Sequence, residues 1–308
     1  MKKYLFANDK NIYKANMHSH TTVSDGALTP EQAKEAYVAR GYSIVAFTDH
    51  NILKSHQQLN DKDFLAINAC EVDIISAKKR GSPLYHFNLY ATRPDMTETP
   101  PLPKMDYSDH EAINKYIAER NAEGFLVCYN HPYWSMQTYD EYSKLRGCFA
   151  MEIYNHNCEV AEGYYGYNPQ VYDEMIRQGQ NIFCFSTDDN HNRGPEDIKD
   201  KDSFGGYIQI NSRSLTYEDV MDALKRGDFY SSQGPEIHEI SLEGNILTVK
   251  CSPTDLIVVY TQGRRCCVKK GDGLTSATFE LSEMDDYIRV MCRDKNKLDA
   301  NSNAYWIK

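Results

Sequence analysis

The chain has 308 residues, of which 41% are hydrophobic and 25% charged, an ordinary balance for a globular protein. Its net charge of −10 and the lack of any Lys/Arg block exclude an extended nucleic-acid surface, which needs a basic stripe. No run of about 18 apolar residues offers a membrane span, and nine scattered cysteines without a Cys-x-x-Cys pair read as reduced thiols. The N-terminus is broken by Asn8 and Asp9 and lacks the apolar core of a secretion signal. The expectation is a cytoplasmic protein without membrane contact.

The first informative stretch is Asn16-Met17-His18-Ser19-His20. Two histidines at i and i+2 in extended backbone face the same way and can grip one ion from two directions. The polar turn Thr21–Gly26 can return Asp25 toward them. Residues 29–41 read as a helix, with Thr29 as cap, Pro30 in the first position and Gly41 at the end. The apolar run 43–47 is a buried strand ending in Thr48-Asp49-His50-Asn51, and the run 64–70 is another, ending in Glu71. A strand over 84–90 holds His86 inside it, and the proline-rich stretch 93–108 reads as an irregular loop.

Asp109 caps a helix closed by Gly124, and the strand 125–129 ends in Asn130-His131-Pro132. A short helix follows Thr138, and the strand 149–154 ends in Asn155-His156. Pro169 opens a helix ended by Gly179, and the strand 181–185 ends in Ser186-Thr187-Asp188-Asp189-Asn190-His191. A last helix runs from Thr216 to Arg226, closed by Gly227. From about Ser231 the helix signals stop and alternating strands begin: 237–242, 246–249, 256–260, 277–281 and 287–291.

Short buried strands alternating with capped helices imply parallel β/α units. In a β/α barrel the site lies at the C-terminal ends of the strands. That gathers His18, His20, Asp25, His50, Glu71, His131, Asp189 and His191 at one mouth; His86 sits within a strand. Mixed imidazole and carboxylate donors suit zinc, manganese or iron. Nine ligands exceed the needs of one tetrahedral ion, so two to three divalent transition-metal ions are expected. His56, His110, His156 and His238 lack a partner motif.

The ordered set His18-Ser19-His20, Ser24-Asp25-Gly26, Thr48-Asp49-His50-Asn51, Glu71, Asn130-His131-Pro132 and Asp189-Asn190-His191 resembles the PHP family, the polymerase and histidinol phosphatase domain. The resemblance spans residues 16–191. It implies an α/β fold, a distorted seven-stranded β/α barrel, here over residues 1–233. The alternating strands of the tail read as a small antiparallel, β-sandwich-like domain over 234–308. The resemblance implies one ion held by His18, His20, Glu71 and Asp189, a second by Glu71, His86 and His131, and a third by Asp25, His50 and His191. Where the family pattern needs one Asp two residues before the His, this chain has Asp188-Asp189; spacing favours Asp189.

The expected activity is hydrolysis of a small phosphorylated metabolite or short nucleotide by a hydroxide bridging two ions. Glu71 and Asp189 would orient that hydroxide. Arg193, just past His191, has two equal readings, contact with the phosphate or a surface salt bridge. Tyr133 and Trp134 follow His131 and could form one wall of the pocket, with plain core packing the favoured reading for Trp134. The Tyr230–Pro235 junction and the β-rich tail also look like those of a PHP subgroup that includes amide- and carbamate-cleaving metallohydrolases. Hydrolysis of an amide or carbamate on the same scaffold is one alternative. A non-catalytic, metal-stabilised module is the other. The sequence gives no oligomeric state.

Overall fold

The computed structural model describes residues 1–76, 81–193, 202–264, 266–283 and 285–308. Strands β1 (Lys3–Ala7) and β2 (Asn11–Asn16) lead to helix α1 (Pro30–Val38) and strand β3 (Ile44–Phe47). The α1 start is a capping box: Gln32 N donates to Thr29 Oγ1 at 3.3 Å, and Thr29 N donates to Gln32 Oε1 at 2.9 Å. Ala33 and Tyr37, four apart, are its buried stripe. All four residues of β3 are buried, as a strand covered on both faces should be.

Next come β4 (Leu65–Ile75), β5 (Leu84–Ala91), α2 (His110–Glu123), β6 (Phe125–Tyr129), α3 (Tyr139–Tyr142) and β7 (Ala150–Asn155). They are followed by α4 (His156–Val160), α5 (Pro169–Arg177), β8 (Phe183–Thr187), β9 (Tyr207–Ser212), α6 (Tyr217–Arg226) and β10 (Phe229–Ser232). Helices α2 and α6 close on the left-handed Gly124 and Gly227.

Strands β2 to β8 lie side by side in chain order, seven in all. Two features differ from the expected parallel alternation. First, β5 runs antiparallel to both β4 and β6, because only eight residues, 76–83, separate β4 from β5, fewer than a parallel crossover needs. Its N-terminal end therefore lies where β4 and β6 have their C-terminal ends, which is why His86, the third residue of β5, reaches the mouth from inside a strand. Second, the alternating segment Tyr207–Ser212 forms β9, which the sequence reading left unassigned. It takes the free edge of β2, antiparallel. The run of seven is thus not closed by a ladder between β8 and β2. Only the loops beyond those strands meet: Ser19 bridges Asn190, His20 N donates to Asn190 O at 3.0 Å, and Asp189 N donates to His18 O at 2.9 Å.

The C-terminal strands are β11 (Ile237–Glu243), β12 (Ile246–Tyr260), β13 (Cys267–Glu280), β14 (Tyr287–Arg293), β15 (Asp299–Ser302) and β16 (Tyr305–Trp306). The two strands expected over 246–249 and 256–260 are halves of the single long β12. Pro253 falls in a register break between Lys250 and Thr254, where its missing N–H interrupts no ladder bond. The sheet is continuous: β10 joins β15 to β9, and β1 pairs with β11. Buried Arg289 of β14 makes a two-pronged contact with Asp173 of α5, 2.8 Å on each arm. No helix among the described residues is long and apolar enough to cross a membrane.

Candidate metal centre

Every candidate ligand follows a strand's end or lies within one that faces the mouth. His18 and His20 come just after β2 and are fully buried. Beyond them the chain folds into a tight turn held by Asp49. That carboxylate accepts from Thr21 N (2.8 Å), Thr21 Oγ1 (2.9 Å), Ser24 N (3.1 Å) and Ser24 Oγ (2.7 Å). A Cβ on Gly26 would sit 2.3 Å from the His20 carbonyl oxygen, so only glycine lets the turn close and bring Asp25 back. Asn51, His131, Asp189 and Asn192 all have positive φ. Such conformations are disfavoured for side-chain-bearing residues and cluster at functional sites.

Glu71 is the hub. Its two oxygens lie 2.9 Å from His86 Nδ1, 3.0 Å from His50 Nδ1, 3.3 Å from His131 Nε2, and 3.4 Å from the Nε2 atoms of both His18 and His20. Asp189 Oδ1 lies 3.1 Å from His18 Nε2 and 3.0 Å from His20 Nε2. Asp25 Oδ1 faces His20 Nδ1 (3.6 Å), His191 Nε2 (3.5 Å) and His50 Nε2 (3.8 Å). All nine predicted ligands are thus brought together. Asp188 points the other way. It accepts from the backbone amides of Phe204 (2.8 Å), Gly205 (2.9 Å) and Gly206 (2.8 Å) and from Tyr37 Oη (2.7 Å).

Electrostatics separates the roles. Burial disfavours the Glu71 carboxylate, but His86, His18 and His50 hold it well below the usual range. Asp189 is likewise buried, and His18 and His20 keep it ionised. Burial also opposes charge on His18, yet Asp189, Glu71 and Glu152 raise it well above its ordinary value. His20 goes the other way, down to about 4, because burial removes water and His191 and His50 add like charge. A neutral His20 has one lone pair to give.

The donor set fits metal ions on two observations. Asp189 Oδ1, His20 Nδ1 and His86 Nδ1 are buried without a hydrogen-bond partner, although oxygens or nitrogens face them closely. Imidazole and carboxylate donors converging that way can be satisfied by a cation between them. His18 Nε2, His20 Nε2 and Asp189 Oδ1 are also mutually 3.0–3.1 Å apart. Bond lengths of about 2.0–2.1 Å in a tetrahedral site give ligand–ligand edges of about 3.3 Å. Three groupings can each hold an ion: His18, His20, Asp189; His20, Asp25, His50, His191; and His50, Glu71, His86. His20 and His50 each appear twice, but a neutral imidazole has a single lone pair, so each serves one ion. His20 belongs with His18 and Asp189, which its Nε2 faces more closely than its Nδ1 faces Asp25.

Other side chains hold the ligands in place. Glu152 on β7 is fully buried and lies 2.7 Å from His18 Nδ1. Asn130 Nδ2 donates to Glu71 at 2.8 Å, Asn155 Nδ2 to Asp189 at 3.1 Å, and His191 N to Asp202 at 2.7 Å. His131 Nδ1 meets Ser135 Oγ at 3.1 Å, and His191 Nδ1 meets the Asp189 carbonyl at 2.9 Å, so Nε2 of each ring faces inward. The sequence reading missed Glu152; a lone carboxylate inside the apolar strand Ala150-Met151-Glu152-Ile153 was the available signal. The other four histidines lie outside the cluster. His56 packs on Phe47, His110 on Tyr85, His156 on Tyr154, and His238 pairs with Glu236.

The cluster opens into a cavity of about 340 Å³ also lined by Trp134, Asn157, Glu162, Arg193 and Asp202. Trp134 is therefore a cavity wall, half-buried with its ring across His131, which is the second of its two sequence readings and not the favoured core packing. Arg193 is 57% exposed at the lip, with Nη1 3.5 Å from Asp25 Oδ2.

No curated protein matches the chain. Among solved structures it is similar to a two-domain protein from Bacteroides vulgatus containing a predicted PHP-like metal-dependent phosphoesterase. Identity is 16% over 99% of this chain and 97% of that one, with a TM-score of 0.50. Weaker likenesses are to a candidate metal-dependent phosphoesterase from Bifidobacterium adolescentis and to an amidohydrolase from Chromobacterium violaceum with bound sulfate and no metal. The first has 13% identity, 59% and 89% coverage and a TM-score of 0.38; the second has 13%, 57% and 87%, and 0.35. The model of the PHP domain matches residues 16–194, the segment that carries every candidate ligand, and the chain belongs to the PHP domain family.

Proposed function

We propose that the protein is a metal-dependent hydrolase acting on the phosphoester of a small metabolite or short nucleotide, with two to three divalent ions held by His18, His20, Asp25, His50, Glu71, His86, His131, Asp189 and His191. The observation that carries this reading is the convergence of buried, unpartnered imidazole and carboxylate lone pairs on one open cavity. When bound, such ions polarise phosphoryl oxygens and make water acidic enough to act near neutral pH. The chain's own residues do the rest. Glu71 and Asp189 hold the imidazoles around two shared carboxylates, and Arg193 at the lip can take a phosphate oxygen through its planar donor fork. Trp134 walls one side. The cavity suits a small anionic substrate, and the acidic exterior offers nothing to an extended polyanion.

The curled run β2–β8, whose end loops meet at Ser19 and Asn190, supports a distorted seven-stranded barrel as the metal-binding unit. We read residues 1–233 as that unit and 234–308 as a small β unit that supplies none of the candidate ligands. The test is a panel of phosphomonoesters, phosphodiesters, amides and carbamates assayed with manganese or zinc, against chelated protein. Metal-dependent release of phosphate or of a nucleotide is expected. Turnover of amides or carbamates alone would overturn the assignment of the bond.

A further inference from the structure

Glu152 gathers four donors. On Oε1 it meets His18 Nδ1 (2.7 Å) and Thr187 Oγ1 (2.7 Å). On Oε2 it accepts from His131 N (3.0 Å) and Asn155 Nδ2 (2.9 Å). They come from the loops after β2 and β6 and from the last residues of β7 and β8, so one fully buried carboxylate on β7 ties its own strand to three of the segments that carry candidate ligands. We propose that Glu152 is the positioning residue of this centre: its bond to His18 keeps the proton on Nδ1 and turns the Nε2 lone pair toward Asp189, His20 and Glu71. The proposal rests on the metal-centre reading above, but its first test does not.

The argument turns on which donors can reverse. A backbone N–H cannot become an acceptor; a neutral imidazole can exchange tautomers, and a hydroxyl can rotate. In Glu152→Gln the single remaining oxygen is therefore drawn to the Oε2 position, where the His131 amide is fixed. The new NH₂ then occupies the Oε1 position and donates to His18 Nδ1 and Thr187 Oγ1. His18 must move its proton to Nε2, where it points into the cluster and blocks the lone pair. The side chain's size is unchanged, so the predicted effect is an inverted tautomer, not a cavity. Outer partners of ligating histidines are worth roughly ten- to a hundredfold in metal affinity.

The experiment has two arms. In chelator-treated protein, at a pH where the His18 ring is neutral, ring-nitrogen NMR reads the tautomer directly. Wild type should show Nδ1–H and Glu152→Gln should show Nε2–H. Zinc titration then reads affinity, with Glu152→Gln binding the tightest zinc at least tenfold more weakly. Thr187→Val, which removes a donor but leaves the carboxylate, should keep the wild-type tautomer and stay within about threefold in affinity. If Glu152→Gln does not fold, Glu152→Asp carries the test: it keeps the charge and should keep Nδ1–H. An Nδ1–H tautomer in Glu152→Gln, or Nε2–H in either wild type or Glu152→Asp, overturns the proposal. If wild type shows Nδ1–H but takes up no zinc, the metal-centre reading fails while the positioning of His18 stands.

Discussion

Five imidazoles lie within 3.4 Å of the Glu71 carboxylate, which makes its charge harder to replace than any one histidine. Glu71→Gln keeps the size and loses the charge, so ions on both sides of it should loosen together. Turnover should drop by at least about a hundredfold, the scale of losing one strong transition-state stabiliser, and added manganese or zinc should not restore it. His50→Ala, by contrast, should be partly rescued by added metal, because His50 is the most exposed of the imidazoles around Glu71 and belongs to one grouping at a time. Near-normal turnover in Glu71→Gln would require the cluster to be rebuilt around another carboxylate. Asp188 invites a different measurement. Its oxygens face three backbone amides and a tyrosine hydroxyl, and burial pushes its pKa up to about 6. Asp188→Asn must turn an NH₂ toward at least one fixed N–H. Chemical denaturation of the metal-free variant should show a loss of about 3 kcal/mol, and an unchanged midpoint would mean the 202–206 loop does not depend on this anchor.

The elements show where local signals suffice. Helix α1 begins at Pro30 with its Thr29 cap, and α2 and α6 end on the glycines that the sequence marks, because capping is decided within a few residues. Strand direction is not local. Leu84–Ala91 has the same apolar texture whether parallel or antiparallel, and only the short return from β4 reverses it and carries His86 to the mouth. Tyr207–Ser212 is a short alternating strand whose place beside β2 depends on residues nearly 200 positions away. One element-level contact is testable. The buried Arg289–Asp173 pair joins β14 to α5, with the guanidinium 4.2 Å from the Tyr260 ring. Asp173→Ala leaves a buried charge alone and should cost about 3–5 kcal/mol, whereas Asp173→Leu combined with Arg289→Met should recover most of that. Equal losses in the two variants would show that packing, not the unpaired charge, sets the cost.

For the molecule as a whole, the prediction is two to three ions per chain with nitrogen and oxygen ligands. Seven of the nine cysteines are buried, and none lies in a grouping that could hold an ion. Elemental analysis after metal-replete purification should find at least two ions; fewer than one would refute the cluster. Ions that bind only the folded chain should also stabilise it. At a hundredfold excess over the dissociation constant each adds about 2.7 kcal/mol, so chelation should lower the melting temperature measurably. The C-terminal strands contribute no candidate ligand among their described residues, and they join the rest of the chain through the continuous sheet and the α5 contact.

Residue chemistry and short-range order were legible before any fold was known. Histidines and carboxylates at the ends of apolar runs pointed to eight members of the cluster, because the turn after a strand is set by neighbouring residues; His86, inside a strand, came only from the family resemblance. What the sequence could not supply was the meeting of distant segments. That β9 rather than β8 lies against β2, that Glu152 of β7 stands beside His18, and that Asp188 faces inward to the 204–206 amides while Asp189 faces the cluster all depend on contacts over some 130 positions or more, or on the side of the chain that packing selects. Imidazole and carboxylate groups declare what they can bind from their chemistry alone. Which nitrogen carries the proton, and which oxygen is left unpartnered, is decided only when burial removes water and the surrounding donors take its place.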